Sequence, residues 1–332
     1  MRYKKIIIIL GSSIIGILTL AMLGVVGFNY NLFKIHSSYL SVKSDFSPIK
    51  FNWVNQEIDG YLLEKAALVI PANIIGNEET HFFQFDTGAS TSIVYENSLN
   101  SLRKKGFYFE TVKKGKRKYI NKLKLNLGGS YITLSMIEVM PVSKSLKNRD
   151  PRNLGSLGID FIAKKVIEIN FKENFIQFYQ NNNKLEISES SKFSKYILKG
   201  DKIIFPVEIN GTTRKLLFDS GCSSFGIITI QELFEDFSTN DSEVSKIKFS
   251  TWGRSKKYEI PFFINRANTN TKMNIANQEL KIGNVNYIGT FTFLQKLLFT
   301  FTRIDGWLGN TPFLNCSLIM DTSKEKFMII RK

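Results

Sequence analysis

Two aspartates stand in matched surroundings. The stretch FQFDTGAS at 83–90 is answered by LLFDSGCS at 216–223. Each aspartate closes an apolar run and is followed by a hydroxyl residue, a glycine and a small residue. A single Asp-Thr/Ser-Gly triplet is a capped turn: the glycine gives the backbone freedom to turn, and the hydroxyl bonds to neighbouring backbone. Two triplets permit a chemistry that one does not. Carboxyl groups a few ångströms apart cannot both ionise cheaply, so they share a proton and titrate as a pair. Such a pair sets a general base and a general acid on either side of one water molecule, the requirement for adding water to an unactivated amide. Asp86 and Asp219 are therefore the candidate catalytic residues, and Thr87, Gly88, Ser220 and Gly221 the residues that support them.

Other site chemistries find little material. The chain has two cysteines and two histidines, with no CxxC and no cluster at metal-ligand spacing, so neither a metal nor a cofactor is expected. Cys222 has no histidine companion and reads as a small packed residue rather than a nucleophile. Whether it bridges Cys316 is left open by the sequence.

The elements that must carry the aspartates are themselves duplicated. VIPANIIGNEETHFFQFDTGASTSIV (69–94) matches IFPVEINGTTRKLLFDSGCSSFGII (204–228), each reading as a hairpin with a glycine-containing turn that ends at the aspartate. Downstream, GSLGIDFIAKKVIEINFKENFIQFY (155–179) matches GWLGNTPFLNCSLIMDTSKEKFMII (306–330). The parts follow in the same order in both halves, with the boundary in the polar stretch 181–201. Short strands and frequent turns predict an all-β chain whose helices are confined to 95–105, 229–237 and 291–299. If the two halves pack about a pseudo-twofold axis, Asp86 and Asp219 meet on it.

With both triplets and both late Gly-x-Leu-Gly segments in view, the chain resembles an aspartic protease of the pepsin and retropepsin group over about residues 61–332. The resemblance implies a bilobal fold with internal duplication. The aspartates would activate water, Thr87 and Ser220 would interlock the loops, and Leu157-Gly158 and Leu308-Gly309 would cross behind and brace them. It further implies a monomer without cofactor that binds a polypeptide substrate extended in the cleft between lobes. Two departures stand out. Ala89 and Cys222 occupy places where pepsin-like sequences often carry serine, and the loss of hydroxyl donors raises carboxyl pKa values, so an optimum less acid than that of gastric enzymes is expected. No Tyr-Gly-Thr/Ser-Gly flap signature occurs, and KKGKRKYI (113–120) serves equally well as a flap tip or as a plain exposed turn. A catalytically silent, protease-like peptide-binding module is the alternative function.

Residues 6–28 carry no charge and are long enough to cross a bilayer, and basic residues crowd the first five positions. An uncleaved signal anchor is expected, with the N-terminus cytoplasmic and the rest periplasmic or extracellular. Cleavage after Ala21 would leave an apolar terminus. The expected organisation is 1–30 tip and anchor, 31–60 stalk or propeptide, 61–182 first lobe, 183–200 linker and 201–332 second lobe. The formal net charge of +16 comes from basic residues spread widely and with no recognised nucleic-acid module, so it reads as solvated surface rather than a specific nucleic-acid site.

Overall fold

The computed structural model describes residue 27 and residues 30–141, 150–179, 192–238, 243–249 and 262–331. The uncharged stretch 6–28 lies outside these residues except for Gly27, and among the described residues no helix is long and apolar enough to cross a membrane. β-Structure dominates. The helices Glu96–Lys104, Gln231–Phe237 and Thr292–Thr302 fall where sequence periodicity predicts them, but helices are not confined to those stretches: Ile159–Ile162 forms a single turn too short to show a helical period.

Each half closes a ring of six strands. In the first, Ser130–Met140 is followed around the ring by Ile93–Tyr95, Asn153–Leu157, Thr80–Phe85, Tyr61–Ile74 and Arg117–Leu127, which pairs back onto Ser130–Met140. The second repeats this order with Gln278–Ile288, Ile227–Thr229, Gly306–Leu308, Thr212–Phe218, Lys202–Ile209 and Phe262–Ile275. Strand senses match as well. Asn153–Leu157 and Gly306–Leu308 each run parallel to the strand that delivers an aspartate. Each also runs antiparallel to the strand that follows the delivering strand in the chain, Ile93–Tyr95 or Ile227–Thr229. Closing a sheet on itself leaves few open edges, which suits a chain with so much strand.

Turn chemistry explains the delivering hairpins. Lys202–Ile209 pairs with Thr212–Phe218 through Asn210 and Gly211, at φ 50° and 73°, the double left-handed turn that Asn-Gly favours. Its counterpart joins Tyr61–Ile74 to Thr80–Phe85 by a wider loop with Gly76 at φ 87°.

A six-stranded sheet welds the halves together. Val166–Asn170 from the first pairs antiparallel with Cys316–Asp321 from the second, with Ile167 opposite Met320 and Ile169 opposite Leu318. Every residue of both strands is buried, so both faces are covered and the strands read as near-continuous apolar runs. Glu168, Asn170, Ser317 and Asp321 interrupt them, and the Glu168 carboxylate accepts from Ser317 Oγ at 2.6 Å and Tyr179 Oη at 2.7 Å. Phenylalanines carry this core up to the loops. Fully buried Phe85 meets Phe161 at 6.5 Å, and fully buried Phe218 meets Phe205 at 5.3 Å and Phe313 at 5.7 Å.

Two expected connectors are partly folded structure. Within 31–60, read as stalk or propeptide, Ser41–Ser44 pairs with Ser130–Met140, Ile49–Lys50 joins the six-stranded sheet, and Asn52–Ile58 pairs with Tyr61–Ile74. Within the expected linker 183–200, Ser194–Lys195 and Ile197–Lys199 are strands, whereas 183–191 lies outside the described residues. These are short edge strands with largely exposed side chains, so they lack the apolar alternation that marks a strand in sequence.

Candidate active site

The two Asp loops face each other, each held from behind. Asp86 N–H donates to Leu157 O and Asp219 N–H to Leu308 O, both at 2.9 Å. Gly158 and Gly309 let these braces approach. A Cβ on Gly158 would lie 2.7 Å from Ala89 O, and one on Gly309 would lie 2.2 Å from both Cys222 O and Phe225 O.

Between the loops the hydroxyls interlock reciprocally. Ser220 Oγ accepts from Thr87 N–H at 2.8 Å, and Thr87 Oγ1 accepts from Ser220 N–H at 2.9 Å. Each hydroxyl then donates across the interface, Ser220 to Phe85 O at 3.2 Å and Thr87 more weakly to Phe218 O at 3.5 Å. Both side chains are fully buried, so a lost partner would strand a backbone N–H in a dry interface.

The glycines of the triplets act through space rather than through turn geometry. Neither adopts a left-handed φ, contrary to the turn-freedom reading of the sequence. A Cβ on Gly88 would instead fall 2.4 Å from Asp219 Cγ, and one on Gly221 would fall 2.6 Å from Asp86 Oδ1. Each loop's missing side chain is the room in which the other loop's carboxylate sits.

The two carboxyls converge on one spot, since a Cβ on Gly221 would lie 2.6 Å from Asp86 Oδ1 and 3.0 Å from Asp219 Oδ1. Both aspartates keep part of their surface open to water although dense protein surrounds Asp86. Burial and then the charge of Asp219 push Asp86 up to about 7. Asp86 accepts from one backbone donor, Ala89 N–H at 3.2 Å. Asp219 accepts from Gly221 N–H at 2.8 Å and from the Cys222 thiol at 3.4 Å. Burial and the neighbouring carboxyl favour the protonated form of Asp86, and Asp219 is the better-supplied acceptor.

Cys222 is buried, and burial followed by the charge of Asp219 raises its thiol well above the ordinary range. It is a hydrogen-bond donor with no thiolate to attack with. Cys222 and Cys316 are both free.

Sequence reasoning missed Lys202. Its ammonium, almost wholly buried, crosses from the second half to donate to Gly88 O and to Ser90 Oγ at 3.3 Å. It lies within electrostatic reach of Asp219 and Asp86, and burial lowers its pKa. The charges of Asp219, Asp86 and Asp201 act against the cost of burial, which is how a buried ammonium is tolerated. A first signal was available: matching Pro71 with Pro206 puts Ala67 opposite Lys202, so the duplication is broken there. Asp160 was missed as well. It accepts from Ser92 N–H and Oγ at 2.8 and 2.6 Å and from Ser38 Oγ at 2.6 Å, and burial raises its pKa.

The basic hairpin considered as a flap exists, with Thr111–Lys114 paired to Arg117–Leu127 around Gly115. Its contacts are with Tyr39, Glu138 and Glu96: Lys114 sits over the Tyr39 ring at 3.9 Å, Arg117 pairs with Glu138 at 3.0 Å and Lys118 with Glu96 at 3.6 Å. Among the described residues no group of three or more His, Cys, Asp or Glu side chains could hold a metal ion.

No protein-family model matches the chain, and neither does any curated protein.

Proposed function

We propose that the chain is an aspartic endopeptidase of the pepsin and retropepsin type, anchored to a membrane by residues 6–28 with its folded part outside the cytoplasm. The observation that carries this reading is the convergence of the Asp86 and Asp219 carboxyls, each with an oxygen within 3.0 Å of the position a Cβ on Gly221 would take, where burial and Asp219 push Asp86 up to about 7. A polypeptide would lie extended between the two halves, adding strand-like hydrogen bonds. Asp219 takes a proton from the attacking water, while Asp86 gives its proton to the amide carbonyl oxygen as the tetrahedral intermediate forms. Roles then reverse as the amine leaves. Gly88 and Gly221 leave room for the carboxyls to converge, Thr87 and Ser220 fix the loops, and the backbone carbonyls of Leu157 and Leu308 fix the aspartate amides. No cofactor takes part in these steps.

Incubation of the full chain in detergent with an unfolded polypeptide tests the reading. Cleavage is expected, falling at least about 100-fold in Asp86→Asn and in Asp219→Asn. Cleavage that survives either change would remove the paired mechanism. Tight peptide binding without any cleavage would favour the silent module instead.

A further inference from the structure

One cationic concavity lies outside this site. A cavity of about 360 Å³ opens in the second half, and Lys215, Lys296, Arg303 and Asp305 line it together with Leu233, Phe299 and Ile304. Beside it, the edge strand Ile197–Lys199 is tied to the end of helix Thr292–Thr302, because Lys199 Nζ donates to Thr302 O at 3.3 Å. Burial and the charges of Arg303 and Lys215 all act to lower the pKa of Lys199. Nearby carboxylates offset only part of the charge. Glu232 pairs with Lys296, and Asp305 accepts from Lys215 N–H at 2.7 Å and faces Arg214 at 3.7 Å. Among the described residues, Lys199, Lys215 and Arg303 have no ion-pair partner. Ile197, Leu198 and Phe301, on the same two elements, expose apolar surface.

The chain enters the fold at this face. Phe33 packs among Ile204, Leu217, Ile304 and Trp307, its ring lies under Lys199 Nζ at 3.9 Å, and His36 N–H donates to Asp201 at 2.7 Å. Only residues 29–32 separate Phe33 from the uncharged stretch 6–28, a reach of at most about 18 Å. We propose that the face formed by Lys199, Lys215, Lys296 and Arg303 docks on the surface of a bilayer that contains anionic lipid, with head groups at these cations and Ile197, Leu198 and Phe301 in the interfacial layer. Such a surface attracts basic residues within a Debye length, and the short tether keeps them near that range. The proposal rests on the anchor reading of residues 6–28 and is independent of proteolysis.

The test is amide hydrogen exchange on the full chain reconstituted in vesicles of phosphatidylcholine alone or of equimolar phosphatidylcholine and phosphatidylglycerol. Protection at 197–199 and 296–303 is expected in the anionic vesicles and is expected to vanish at high salt. Neutralising Lys215 and Arg303 together (Lys215→Gln with Arg303→Gln) is expected to weaken docking on the order of 30-fold. Unchanged exchange at Cys316–Asp321 certifies the fold of that variant, and the salt dependence of the unaltered chain provides the same reading without substitution. Equal exchange in both lipids, with the chain retained on the vesicles, overturns the docking proposal alone. A chain that stays in solution overturns the anchor reading and the docking with it.

Discussion

At the residue scale, the site is a charge balance among Asp86, Asp219 and Lys202. Because Lys202 acts to lower Asp86, replacing it with methionine should move the pH profile of kcat/KM upward, and Lys202→Arg should restore it. Profiles measured on one cleavable polypeptide check this; an unmoved profile would reduce Lys202 to packing. Asp86 also makes stability depend on pH. Its folded pKa lies above its unfolded value of 3.8, so its contribution is fully present below that value and is lost as pH rises through about 7. Asp86→Asn should therefore gain melting temperature relative to the unaltered chain across that window, with a plateau above it. The triplets were legible in the sequence because duplication singled them out. Lys202 was not, since a lysine heading the run KIIFPVEI looks like any solvated strand start, and nothing local reveals that Gly88 O waits across the interface.

Among the elements, the loops depend on what crosses behind them and between them. A Cβ on Gly309 would strike two backbone carbonyls that cannot swing away, so Gly309→Ala should cost about 3 kcal/mol in denaturant unfolding. Thr87→Val removes the acceptor of Ser220 N–H and should cost about 1–3 kcal/mol by the same measurement. Gly221→Ala is expected to act differently, spreading the carboxyls and lowering kcat/KM about 100-fold while much of the stability remains. Hairpins, helices and repeat order could be read beforehand because Asn-Gly turns, apolar runs and the 3.6 period are local signals. The strands at 41–58 and 194–199 could not, because an edge strand gains its place from its neighbour's open backbone rather than from its own side chains.

For the whole molecule, the pairing of Val166–Asn170 with Cys316–Asp321 makes the two rings one cooperative body. Calorimetry should show a single unfolding transition, whereas two separated transitions would mean that the shared sheet does not couple the halves. Duplication was visible in the sequence as parts recurring in order, but ring closure was not, since it depends on pairing between strands far apart in the chain. The proposed function makes two rings one site through a proton shared by Asp86 and Asp219. Carbon-13 titration of the aspartate carboxyls in the intact chain measures that sharing without any need for turnover. Asp86 should titrate with a midpoint near 7, and the midpoint should fall in Asp219→Asn; a midpoint near 3.8 in the unaltered chain would contradict the paired site.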